Sequence, residues 1–153
     1  MDWNALKRAT LISGTTASIA STLALMALAR LEGRGALQPT NATSHWLNGP
    51  SAADVTTLDG TRTGVGYATH HAATLFWALP FCAWRALRRR DRSATLLTDA
   101  LAVSAVAALV DYRATPKRFT PGWEFVLSRR AMALAYAAMA GGLAAGLALS
   151  ERR

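Results

Sequence analysis

The segment TLISGTTASIASTLALMALA, residues 10–29, holds no charged side chain, and the uncharged run starts at Ala9. A soluble helix of this length carries a charged stripe opposite its apolar face. This one carries none, and it has the roughly 20 residues a helix needs to cross the ~30 Å hydrocarbon layer of a bilayer. Its serines and threonines make it only mildly hydrophobic, so an alanine-rich soluble four-helix bundle is the competing expectation. Outward along the chain, residues 63–84 and 131–150 are also uncharged, and 93–110 contains one charge, Asp99. The 153 residues therefore read as one membrane domain, 1–153. The fold expected is an all-α, four-helix transmembrane bundle. Its spans fall at about 9–29, 66–85, 94–112 and 123–149, with an extramembrane loop at about 31–65.

Lys7 and Arg8 precede the first span, and Ala27-Leu28-Ala29 resembles a signal-peptide cleavage site. The apolar stretch is longer than the usual ~7–15 residues of a secretory leader, so it is read as a retained span. The net charge of +8 would suit nucleic acid, but the positions of the charges exclude that partner. Arg85, Arg88, Arg89, Arg90 and Arg92 cluster between the second and third spans, as in a cytoplasmic loop facing anionic headgroups. Four spans place both termini on that same side. Total Lys and Arg are nearly even between the two sides, so this orientation rests on the short segments, where the rule has most force. Trp3, Tyr67, Trp84, Tyr112 and Trp123 fall near span ends, where amphipathic rings sit at headgroup level. Pro80 is expected to kink the second span or free a carbonyl. Cys82 is the single cysteine, so no internal disulfide forms.

DYRATPKRFTPGWE, residues 111–124, is too polar for hydrocarbon and too patterned for a slack linker. It reads as a rigid interfacial corner built from Asp111, Arg113, Lys117, Arg118 and Glu124, with Arg129 and Arg130 just beyond. Asp111 is expected to pair with Arg113 or Arg129, and Glu124 with Lys117 or Arg118. Thr120 reads as an N-cap with Pro121 at the first helical position, so the last helix is expected to start near 121. In the long loop, Ser51-Ala52-Ala53-Asp54 reads as the start of a short helix, Asn41-Ala42-Thr43 fits the glycosylation sequon, and His45-Trp46-Leu47 is an apolar knot.

Gly142 and Gly146 lie on one helix face with Ala138, a small-residue stripe that allows close backbone approach. Gly14, Ser18 and Thr22 make a similar stripe, as do Ala100, Ser104 and Ala108. They serve either internal packing or a homodimer or membrane-protein partner. Asp99 lies inside the third span and is expected to face the bundle. It pairs there with Arg85, Arg88, Lys7 or Arg8, or acts in a proton or ion relay.

His70 and His71 are adjacent in the second span, so their side chains point about 100° apart. With Asp111, and with His45 nearby, they are the candidate metal ligands, suited to zinc or copper. The alternative is histidines bonded to neighbouring carbonyls. No cofactor is assigned; a metal or haem at this cluster is the one to consider. The two glycines of TGVGYATHH do not make a phosphate cradle, and no nucleophile elbow, Walker loop or dinucleotide fingerprint is present, so an enzyme is not expected.

DYRATPKRFTPGWEFVLSRR and the His-His before FWALP resemble small four-span inner-membrane proteins of proteobacteria that have no assigned activity. The resemblance covers about a third of the chain. It implies a compartment, the cell inner membrane, and no mechanism. The expected function is a non-enzymatic scaffold or accessory module that contacts lipid and binds a membrane partner. The alternative is a small transport or metal-handling protein using the His/Asp cluster.

Overall fold

Four polar residues set where the long helices begin. Each extends its backbone and turns a side-chain oxygen onto an amide of the first turn, satisfying one of the orphan donors there. Asp2 caps α1 (Trp3–Leu31) through the Asn4 amide. Two short helices follow, α2 (Gln38–Ala42) and α3 (His45–Asn48), then a 3-10 turn at Pro50–Asp54. Asp59 caps α4 (Gly60–Leu87) through the Arg62 amide, Thr95 caps α5 (Leu96–Leu109), and Ser128 caps α6 (Arg129–Ser150). A π-helical turn, Val110–Ala114, extends α5, and 3-10 turns at Lys117–Phe119 and Trp123–Phe125 lead towards α6. The computed structural model describes residues 2–88 and 95–151, and no strand occurs among them. Arg89, Arg90, Arg92, Arg152 and Arg153 of the expected cytoplasmic clusters lie outside the described residues.

The long helices form a bundle in which α1 is central. It packs most extensively on α6 and next on α4, while α5 packs on α6. The α1–α6 seam is made of backbone rather than bulk. A Cβ on Gly142 would lie 2.5 Å from the Ala17 Cα, and one on Gly146 would lie 2.5 Å from the Ser13 Cα. Thr16 adds a hydrogen bond to the Gly142 carbonyl at 2.8 Å. Gly14 serves the other face of α1, where a Cβ would come within 2.9 Å of the Leu75 Cα on α4. The glycine stripes of 14 and of 142/146 are therefore consumed by packing within the chain.

Small residues make up much of the interior, beside larger ones such as Leu25, Phe81, Met139 and Leu143. Ser13, Ala17, Ser18, Ser21, Ala78, Ala100, Ser104, Ala107, Ala135 and Ala140 are buried. Leu11, Ile19, Leu23, Phe76, Leu79, Leu101, Val106, Leu109, Leu134 and Leu149 are exposed along the outer faces of the same helices. Two helices, α1 and α6, are long and apolar enough to cross a membrane, with mean hydropathy 1.6 and 1.7. The expected second span is diluted by Thr69, His70, His71 and Thr74. The third has only 14 α-helical residues before its π turn.

At the end of the bundle where α4 runs towards α5, the Arg85 Nη1 donates to the Asp99 Oδ2 at 2.6 Å. Asp99 thus meets the first of its expected partners, and the Arg88 guanidinium lies over the Trp84 ring. At the opposite end, Glu32 just past α1 accepts from the amide and hydroxyl of Ser128. These two hydrogen bonds hold its carboxyl below the usual range and tie the end of α1 to the cap of α6.

Several local expectations are corrected. α6 starts at Arg129, not near 121, because Gly122 takes a left-handed φ of +80° that no helix can continue through. The turn at 50–54 starts at Pro50 after Gly49, whose φ is +75°, so Ser51 is inside it and is not its cap. As expected of a proline inside a helix, Pro80 offers no N–H to the Phe76 carbonyl, and α4 runs on through it to Leu87. Asn41 of the sequon is fully buried and its side-chain amide is used within the fold.

Gly142→Ala and Gly141→Ala separate the seam from mere glycine content. Gly142→Ala forces α1 and α6 apart and is expected to destabilise by about 1–3 kcal/mol, as overpacking does. Gly141 has nothing within 4 Å of its would-be Cβ. Its change to Ala should be neutral or stabilise by up to about 1 kcal/mol. Thermal melts in detergent check both, and equal melting points would refute the seam.

Candidate functional site: an aromatic cavity beneath the loop

The loop between α1 and α4 is not loose. Asn41 is its hub: its Nδ2 donates to the carbonyls of Val55 and Thr57 at 2.7 and 3.1 Å, and its Oδ1 accepts from Thr63 of α4 at 2.6 Å. α2 lies directly on α4 at Gly66, where a Cβ would collide with the Thr40 carbonyl. The corner at 115–128 then tucks under α2 and α3. Gly122 meets the Ala42 carbonyl, which a Cβ there would approach to 2.5 Å. His45 is a staple between the two segments. Its Nδ1 lies 3.0 Å from the Ala42 carbonyl and its Nε2 lies 3.2 Å from that of Lys117. The Arg118 Nε donates to the Trp46 carbonyl at 3.2 Å.

This docking encloses a cavity of about 390 Å³, within the range of small-molecule sites. Its buried floor is His70 and Thr74 of α4, Tyr136 and Met139 of α6, Trp123 and Thr120 of the corner, and Thr43 after α2. Asp111 enters from the end of α5. Trp46, Thr69, Ala73, Trp77, Phe119 and Pro121 make the more open wall. The rings are locked to one another. Trp123 stands 5.3 Å from Tyr136 and 5.5 Å from His70, centroid to centroid. The Trp123 Nε1 donates to the Thr43 hydroxyl and the Trp46 Nε1 to the Thr69 hydroxyl, both at 3.1 Å.

His70 is held from behind by α1. Its Nε2 lies 2.8 Å from the Ser21 hydroxyl, which also lies 2.7 Å from the Ala17 carbonyl, so the ring's tautomer sets which of the two that hydroxyl donates to. The His70 Nδ1 has no hydrogen-bond partner among the described residues. Asp111 accepts from the Tyr136 hydroxyl at 2.6 Å.

His70, His71 and Asp111 do not form a three-ligand metal site. No group of three or more potential metal-binding side chains occurs among the described residues. Helix geometry is the reason: His70 points to Ser21 and the cavity, while His71, one residue on, stacks on Tyr67. The expected charge pairs of the corner are also absent among the described residues, where the ion pairs are Arg62–Asp59 and Arg85–Asp99. Asp111 bonds Tyr136 instead of Arg113 or Arg129. Glu124 accepts from Thr120 instead of pairing with Lys117 or Arg118. Arg113, Lys117, Arg129 and Arg130 are exposed. Trp123 is buried, not an interfacial anchor. Sequence reading missed Trp46, Trp77 and Tyr136 as cavity residues. Tyr136, the one phenol in an otherwise aliphatic run, was the available signal for the partner of Asp111.

Comparison with known protein families, with curated proteins and with solved structures finds no match.

If Tyr136 is the partner of Asp111, Tyr136→Phe removes a hydrogen bond to a carboxylate and should destabilise by about 1.5–3 kcal/mol. The double change Asp111→Arg with Arg129→Asp should melt no higher than Asp111→Arg alone. Rescue by the swap would restore the ion-pair reading.

Proposed function

We propose that the chain is a four-span integral protein of the bacterial inner membrane, acting as a non-enzymatic accessory module that binds at its loop-side end. The observation that carries this reading is the number of large aliphatic side chains on the outer helix faces, around an interior rich in serine, alanine and glycine. In water, exposing that many on adjoining faces would invite aggregation. In lipid the outer faces are solvated by acyl chains, and small residues inside supply the close packing that holds helices together there. α4 and the coil of α5 with its π turn then serve as the second and third spans, their polar groups turned to the cavity and to the Arg85–Asp99 pair. The Arg85 and Arg88 end faces the cytoplasm, with both termini, and the loop and cavity lie at the outer leaflet.

Binding is favoured over catalysis because most polar groups around the cavity sit in structural hydrogen bonds, and the hydroxyl that faces an imidazole, Ser21 at His70, is fully buried in the helix bundle and does not line the cavity. A membrane partner or second copy is supported by α6. Its outward face carries Ala133, Ala137, Gly141 and Ala145, exposed small residues at a four-residue spacing.

Alkaline carbonate extraction of membranes should leave the chain in the pellet. A reporter fused after Glu151 should read cytoplasm, and one inserted after Asp59 should read the opposite side. Release into the supernatant would overturn the membrane reading, and a cytoplasmic signal at Asp59 would overturn the orientation.

A further inference from the structure

Most hydrogen-bond donors on the floor of the cavity are committed. The Tyr136 hydroxyl donates to Asp111, and the Trp123 N–H to Thr43. The Thr43 hydroxyl donates to the Pro39 carbonyl, and that of Thr74 to the carbonyl of His71. What remains open on the floor is the acceptor capacity of the Asp111 carboxylate, which can take several hydrogen bonds and holds one. No lysine or arginine among the described residues lines the cavity. Arg118 of the corner donates to the Trp46 carbonyl. A half-desolvated carboxylate without a cationic partner is costly unless something supplies the charge. Around it stand the indoles of Trp46, Trp77 and Trp123, whose faces are electron-rich and attract cations.

We propose that this cavity binds a lipophilic ammonium, an amine cation with an N–H to donate and an aromatic or aliphatic body to bury. The ammonium N–H groups bond to Asp111, and the body lies among the indoles. The ligand chemistry is set by two features acting together: an uncompensated carboxylate and an aromatic wall. An anion would be repelled by that carboxylate, and a neutral apolar molecule would leave it unanswered. The inference deepens the binding reading above and rests on it, but it does not depend on how many helices cross the membrane.

The test uses the full chain in maltoside micelles, with tryptophan fluorescence and calorimetry as readouts and empty micelles as the blank. The probes are 4-phenylbutylammonium and its neutral counterpart 4-phenylbutanol. The ammonium should bind saturably and at least about tenfold more tightly than the alcohol, the margin that one charge-assisted hydrogen bond supplies. Asp111→Asn should cut that preference to within about twofold while alcohol binding persists. Tyr136→Phe, which removes only the internal donor to Asp111, should keep the preference. Equal binding of the two probes by the unaltered chain overturns the ammonium inference and leaves the binding reading standing. A preference that survives Asp111→Asn also overturns it. Saturable binding of neither probe overturns both. The ratio for the unaltered chain needs no substitution, so it decides the matter even where Asp111→Asn does not fold.

Discussion

The near-contact of two backbones, α1 at Ser13–Ala17 and α6 at Gly142–Gly146, is the constraint on which the rest depends. Where helix axes come this close, there is no room between them for anything larger than a methyl or hydroxyl group. Serines and alanines occupy the seam, and the bulk of the leucines must go outward. Hydroxyls in such a seam need acceptors, and they find them in their own helix or across the seam: the one Thr16 proton lies between the Ile12 and Gly142 carbonyls, both at 2.8 Å. The neighbouring helix gains additional bonds only where geometry permits, as at Gly142 and His70.

The same seam explains the cavity. α4 and α5 flank the α1–α6 pair and meet one another far less extensively. Near their connection the Arg85–Asp99 pair draws them together. At the other end, roughly 20 Å away by helix rise, nothing of comparable kind joins them. The space is filled from above by the loop and the corner. Their aromatic residues are large enough to roof the gap but too rigid to fill it. The loop side is therefore where the aromatic side chains collect, while the cavity at the other end is lined by the charged Asp2, Arg8, Arg85 and Glu151.

How much of this could be read from the sequence depends on the range of each interaction. The four helical runs, the close approach at Gly142 and Gly146 and the burial of Asp99 against Arg85 were legible, because each follows from spacing along one helix or across one short connection. The angular separation of His70 and His71 was legible too, and it is what defeats them as joint ligands with Asp111. The corner was misread in its details. Charge alternation in residues 111–124 suggested ion pairs, but the tuck of Gly122 beneath Ala42 turns Trp123 inward and leaves the cations outside. That tuck joins segments about 80 residues apart, and no local pattern encodes it. Trp46 and Trp77 were passed over for the same reason. Each sits in an unremarkable context, and only the fold places them on one wall.

The hydrogen bond between His70 and Ser21 has a further meaning. Not one residue of α1 lines the cavity. Yet the imidazole there is held by a hydroxyl of that helix, itself 2.7 Å from the Ala17 carbonyl. The first helix thus steadies one side of a chamber it never touches. A change of Ser21 to alanine would keep every lining residue and still free the His70 ring to turn.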